Sequence, residues 1–161
     1  MKKISLMLGA LVFALMMSCA SKKEQKKAEV NAELQVPVQT DTLLFYRKTS
    51  CMGTCPVYDF TLYHDRTCHI NGKYHFKVKG EKRGKVSEET LAELQGKLES
   101  IDFWALEAKY DDEMVQDIPA TYIYSKANGK VKWVKSRYGT PEKLKQFQGM
   151  VEAVIEQIEW K

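Results

Sequence analysis

Residues 41–161 predict an α+β domain, an antiparallel sheet of about five to six strands with two helices packed on it. Three observations carry this reading. Val57–His64 alternates apolar and polar side chains, two Asn-Gly pairs separate strand-like runs, and two apolar stripes recur at helical spacing. The order is strands, helix, hairpin, helix, which lacks the regular strand–helix alternation of a wound parallel sheet.

Thr42–Lys48 is apolar and β-branched enough for a first strand. In Val57–His64, Tyr58, Phe60 and Leu62 share one face while Asp59, Thr61 and Tyr63 share the other, the period of a half-buried strand. Asp65-Arg66 signals a turn. Asn71-Gly72 signals a stronger one, because both residues tolerate positive φ, so Thr67–Ile70 and Lys73–Lys79 are expected as a hairpin. Ser87 caps a helix that opens with Glu88 and Glu89 against the positive end of its dipole. Leu91, Leu94, Leu98 and Ile101 make its buried stripe, and Phe103 and Trp104 follow as a core plug. Ala120–Lys126 and Lys130–Arg137 flank Asn128-Gly129, a second hairpin. Thr140 as N-cap and Pro141 at the first helical position start a last helix, lined by Leu144, Phe147, Val151, Val154, Ile155 and Ile158.

The chain begins with a different kind of segment. Met1-Lys2-Lys3 is a short basic stretch, and Ile4–Met17 is a run of 14 residues without a charge. A bilayer-spanning helix needs about 20 apolar residues, so this run fits the apolar core of a secretory leader. Leu15-Met16-Met17-Ser18-Cys19 resembles a bacterial lipobox, with Met16 where Leu is preferred. The resemblance implies a lipoprotein signal peptide over 1–18 and diacylglycerol on the Cys19 thiol. Each buried CH₂ contributes about 0.8 kcal/mol, and two or more chains hold a protein on a membrane where one barely does. Residues 19–40 are polar, contain Pro37 and read as a lipid-anchored flexible tether; residues 41–161 are the single domain.

The charge excludes one class of partner. Removing Lys2 and Lys3 lowers the formal charge from +4 to +2, and residues 20–40 hold four lysines against three glutamates. The domain is therefore left near +1, with no electrostatic case for nucleic acid. The tether starts Ala20-Ser21-Lys22-Lys23, without the acidic run that resembles a surface-export signal in lipoproteins of Bacteroidota type. An outer-membrane lipoprotein facing the periplasm is the expected location, with the bilayer held through acylated Cys19.

Chemistry concentrates at Cys51-Met52-Gly53-Thr54-Cys55-Pro56, directly before the alternating strand. Gly53 can take positive φ and Pro56 fixes φ while giving up a donor, the marks of a tight turn. With Cys19 acylated, Cys51, Cys55 and Cys68 remain, and three pairings are open in an oxidising compartment. A Cys51–Cys55 bridge closes about five residues, contributing about 2 kcal/mol, and a Cys55–Cys68 bridge about 14, contributing about 3 kcal/mol.

Cys51-x-Gly53-x-Cys55-Pro56-x-Tyr58 is followed by Leu62, Asp65, Ser87 with Leu91 and Leu94, Phe103 with Leu106 and Tyr110, Asp117 with Pro119, and the Thr140-Pro141 helix. Together these residues resemble domain-of-unknown-function family 6438, over about residues 42–158. Arg66 stands where the family pattern favours Gly, and Cys68 where it favours an apolar residue. The resemblance implies a bacterial secreted or lipid-anchored protein and carries no activity. It also pairs Cys51 with Cys55 and leaves Cys68 as a small buried hydrophobe.

Two sharper readings compete with a structural turn. C-x-x-x-C-P with a distant histidine resembles the copper-binding turn of Sco-type chaperones. Cys51, Cys55, Met52 and one of His64, His69 or His75 would then supply soft and imidazole ligands for Cu(I). His69 and His75, six apart in expected strands, would share a face. A thiol–disulfide exchanger is the other reading, although such pairs are usually C-x-x-C at a helix N-terminus, and this pair precedes a strand. Elsewhere, Asp111-Asp112-Glu113 with Asp117 lacks the ladder of a calcium loop, and Asp117 is expected to shape the strand entry at Pro119. Gly80–Lys85 is one residue short of a phosphate loop, with Val86 where a hydroxyl is required. No nucleophile, base and orienter occur together. The expectation is a non-enzymatic envelope lipoprotein presenting a binding or scaffolding domain to an envelope protein. The alternative is a copper or thiol-redox module at Cys51 and Cys55; no other cofactor is implied.

Overall fold

The computed structural model describes residues 41–161; the expected leader and tether, with Cys19, lie outside the described residues. Seven strands form one sheet: β1 (Thr42–Lys48), β2 (Val57–Tyr63), β3 (Thr67–Tyr74), β4 (Gly80–Lys85), β5 (Lys109–Tyr110), β6 (Thr121–Ala127) and β7 (Lys130–Ser136). Their spatial order is β4-β3-β2-β1-β6-β7-β5. Neighbours run antiparallel except β5, which lies parallel to β7. With helices α1 (Glu88–Ser100) and α2 (Glu142–Gln157), the architecture is α+β.

Alternation along the strands decides which side chains meet the helices. In β2, Tyr58, Phe60 and Leu62 are buried while their neighbours are half-buried. Opposite them, Leu44 pairs with Leu62 and Tyr46 with Phe60 in β1. These join Ile70, Ile123 and Val134 in one core cluster, closed by Leu94 and Leu98 of α1, by Ile101 at its C-cap, and by Leu144, Phe147, Val151 and Ile155 of α2. Burying a Leu or Phe side chain contributes about 1.5–3 kcal/mol, so this layer dominates the stability of the domain. Phe103 is fully buried in the same cluster, and Trp104 packs against it. The face turned away from the helices has its own aromatic layer. Trp133 packs against Phe45 at 5.8 Å and Tyr124 at 4.8 Å. Beside it, Asp59 takes a two-pronged bond from Arg47 at 2.7 and 3.0 Å and one from Lys73 at 2.9 Å.

Local signals explain the boundaries of α1 and of the last hairpin. Ser87 Oγ accepts from Thr90 N at 3.0 Å, the expected cap. Asn128 and Gly129 both adopt positive φ, 51° and 72°, as a two-residue hairpin turn requires.

Five expectations are corrected. Asn71-Gly72 is no turn: β3 runs on to Tyr74, and β4 is Gly80–Lys85 instead of Lys73–Lys79. Glycine is needed at 72 because a methyl there would collide with the Val78 carbonyl folding back over it. His69 and His75 therefore do not share a strand face, since His75 leaves β3 with φ 51°. Thr140 does not cap α2; Pro141 holds the cap position, and the Thr140 hydroxyl bonds Ser136 at 2.7 Å instead. Gly53 is outside the positive-φ set. The strand count is seven because β5, only two residues long, joins by parallel pairing with Lys135 and Ser136.

Candidate functional site

Three loops meet at one end of the sheet. The first, after β1, carries the cysteines. Cys51 and Cys55 are disulfide-bonded with Cα atoms 5.8 Å apart, the pairing that the family resemblance implies. Backbone bonds then fasten this turn to the segment leading into β6. Thr49 N donates to Ala120 O at 3.0 Å, Ala120 N donates back to Thr49 Oγ1 at 2.8 Å, and Met52 N donates to Asp117 O at 3.1 Å. Asp117 thus acts on the turn through its carbonyl. The loop over 111–119 is held in turn by the loop after β7, Arg137 Nη1 donating to Val115 O at 3.3 Å.

Bonded from both sides, these loops leave apolar side chains in the open. Met52 is 88% exposed, Met114 91% and Tyr138 53%. Cys51 and Cys55 are half-buried; Gly53 and Thr54 are exposed. A Cβ on Gly53 would meet only Cys51 Sγ, at 3.8 Å, an ordinary contact.

Pro56 and Tyr58, the last residues of the cysteine motif, line a cavity of about 220 Å³ shared with His75, Phe76, Lys77 and the α2 residues Glu152 and Glu156. Tyr58 packs on Phe76 at 4.4 Å. Glu152 Oε1 accepts from the Tyr46 hydroxyl at 2.6 Å and from Lys48 Nζ at 2.9 Å. Glu156 pairs with Lys77 at 3.0 Å. Burial first, and then the negative charge of Glu152, holds the Tyr46 and Tyr58 phenols well above their usual range. Both stay protonated donors at any physiological pH. The two phenols can therefore donate to a ligand in the cavity but cannot act as bases there.

The three histidines go to three places. His75 shares the cavity with Pro56. His64 sits beyond β2 at the other end of the sheet, its N–H on Asp41 O at 3.1 Å. His69 lies on the sheet face away from the helices, 3.9 Å from Glu81. Among the described residues no three His, Cys, Asp or Glu side chains gather to hold a metal ion. Only Met52, of the proposed copper set, accompanies Cys51 and Cys55 on the turn. Cys68 is buried and free, its thiol pushed up to about 12 by burial, with a smaller opposing effect from the Gly84 backbone.

Two carboxylates were not expected from the sequence. Glu152 meets its partners across more than a hundred residues of chain, so local pattern carries no sign of them. Asp111, in the acidic run 111–113, is nearly buried between Lys135 at 3.1 Å and Arg137 at 3.4 Å. The basic alternation of Lys135 at the end of β7 and Arg137 just beyond it was the available signal.

No curated protein and no solved structure matches the chain. One family model does, over residues 42–155, from the first strand through nearly all of α2. The protein belongs to the family described as Domain of unknown function (DUF6438).

Proposed function

We propose that this is a non-enzymatic lipoprotein of the bacterial envelope, moored to the outer membrane through acylated Cys19 and facing the periplasm, whose disulfide-closed end binds a protein partner. The observation that carries the reading is the fixed exposure of Met52 and Met114 on loops that hydrogen-bond to one another. Methionine and tyrosine are enriched where proteins meet, and Met adapts its shape to a partner. Because the disulfide and the Thr49–Ala120 bonds already order the turn, binding forfeits little entropy there. A formed Cys51–Cys55 bridge also suits an oxidising compartment.

The test places a photo-crosslinking side chain at Met52, at Met114 and, as a control, at exposed Glu93 of α1, in the full chain in its native host. The reading expects the same envelope protein captured from 52 and 114 and missing from 93. Identical capture patterns at all three positions refute it. Cys19→Ala in the same cells should release the protein from membranes.

One observation favours a second reading, a copper or thiol-redox module. The bridge lies on a half-exposed turn, and the residues it encloses are exposed, so a reductant can reach it. Reduction would present two thiols beside the Met52 thioether, a soft donor set. Titrating the reduced full chain with Cu(I) decides the copper case: failure to take up one ion per chain removes it.

A further inference from the structure

The end of the sheet opposite the disulfide holds a larger cleft, about 370 Å³, between α1, the turn after β2 and the β6–β7 hairpin. We propose that this cleft binds a neutral, hydroxyl-rich ring ligand, a saccharide. Its volume falls at the lower end of the range for small-molecule sites, about 300–1,000 Å³, which suits one or two rings.

The lining selects the class. Trp104 supplies an indole, Gln95 and Asn128 supply amides, His64 an imidazole and Glu99 the only formal charge. No lysine or arginine lines the cleft, and the Glu99 carboxylate repels an anion there. Lys130 Nζ lies 5.9 Å from the centre of the Trp104 ring, so a cation meets a like charge beside that wall and gains little either. An apolar ligand would strand the amides and the carboxylate without partners. A sugar ring fits all of these. Amide side chains both donate and accept, as sugar hydroxyls do, and the electron-rich indole face attracts polarised C–H groups. The Trp104 indole N–H reaches Glu99 Oε1 at only 3.4 Å, a long bond that leaves the carboxylate with capacity to accept from a hydroxyl.

Gly96 gives the second line of argument. It sits inside α1, does not take positive φ, and a Cβ there would have nothing within 4 Å. Glycine in a helix interior costs about 0.8–1.0 kcal/mol relative to alanine. Neither backbone strain nor close packing requires it here. What the missing side chain leaves is open space on the wall of the cleft. Gly149 of α2 is equally open but lines neither of the two cavities described above.

The experiment is saturation-transfer NMR on the full chain with cellobiose, maltose and N,N′-diacetylchitobiose as probes, and inorganic phosphate as the anionic comparator. At least one disaccharide should show transfer while phosphate shows no binding. Gly96→Leu should weaken that binding at least tenfold by filling the cleft, and Trp104→Ala should do the same by removing its wall. Thermal melts keep the outcome interpretable, because Gly96→Leu should melt no lower than the parent. Failure of every disaccharide to bind overturns the proposal. So does binding that survives Gly96→Leu undiminished, or binding of phosphate in place of sugar.

Discussion

Replacing both Cys51 and Cys55 by alanine isolates what the bridge contributes to the fold. The cross-link joins residues four apart in sequence. A closed ring of about five residues removes about 7 cal/mol/K of entropy from the unfolded chain, or about 2 kcal/mol at 25 °C. Both side chains are only half-buried, so losing two sulfurs adds little cavity cost. The Thr49–Ala120 and Met52–Asp117 bonds remain in the variant and hold the turn in place when folded. The loss therefore lies in the unfolded state. With an unfolding entropy of about 2.1 cal/mol/K per residue over about 120 residues, 2 kcal/mol corresponds to a melting point lowered by about 8 °C. Calorimetry of the parent and the double variant, each with and without reductant, measures this. Reductant should lower the parent to the level of the variant and leave the variant unmoved. A drop below about 2 °C would refute the reasoning, because the bridge would then be restraining nothing that the unfolded chain explores.

Other consequences are as direct. Arg66 holds φ 73° in the β2–β3 turn, a conformation costing a non-glycine residue about 1–2 kcal/mol. Arg66→Gly should raise stability in urea melts by about 0.5–1 kcal/mol once the extra freedom of unfolded glycine is subtracted. Gly72→Ala should do the reverse by about 3 kcal/mol or more, since the Val78 carbonyl is backbone and cannot swing aside. Iodoacetamide at pH 8 should modify two cysteines of the reduced domain and spare Cys68, whose burial raises its pKa to about 12; modification of all three in the folded state would contradict its place in the core. Burial pulls the Asp59 carboxyl upward, but the bonds from Arg47 and Lys73 outweigh it and set its pKa below the usual value. Its contribution is present above the unfolded pKa, about 3.9, and fades as pH falls through the lower folded value, so Asp59→Asn should flatten the acid side of a stability–pH curve.

What the sequence made legible follows from how locally each element is specified. Tyr58, Phe60 and Leu62 declare β2 because one face is buried and the other is not, and period two records that directly. Ser87 declares the start of α1 for an equally local reason, its hydroxyl reaching Thr90 N in the next turn. Asn-Gly, by contrast, is ambiguous. At 128–129 it supplies positive φ, while at 71–72 the glycine makes room for a crossing backbone, and nothing within a few residues distinguishes the two uses. Strand β4, Gly-Glu-Lys-Arg-Gly-Lys, shows no apolar pattern because it lies at the edge of the sheet with nearly all its side chains exposed. Pairing with β3 makes it a strand. Of the site, the cysteine turn was legible from its motif, whereas the Glu152 bonds and the Gly96 cleft arise only where distant segments meet.

The sheet edges explain why recognition is assigned to its two ends. An unpaired edge strand invites addition of a foreign strand, and charge, shortness or cover blunts that tendency. Here β4 exposes Glu81, Lys82 and Arg83, and Lys161 bonds back to Arg83 in both directions at 3.0 and 2.9 Å. The other edge, β5, offers two residues. Neither edge is a surface on which a partner can readily extend the sheet. The ends remain, and they differ in chemistry. One presents sulfur and aliphatic groups around a covalent bridge, the other amides, an imidazole and an indole around open space. A seven-residue strand such as β1 spans about 23 Å, well beyond the 7–10 Å within which substitutions couple. A change at Met52 therefore leaves the Gly96 cleft as it was, and a change at Gly96 leaves the disulfide end as it was. Each proposal stands or falls by its own measurement.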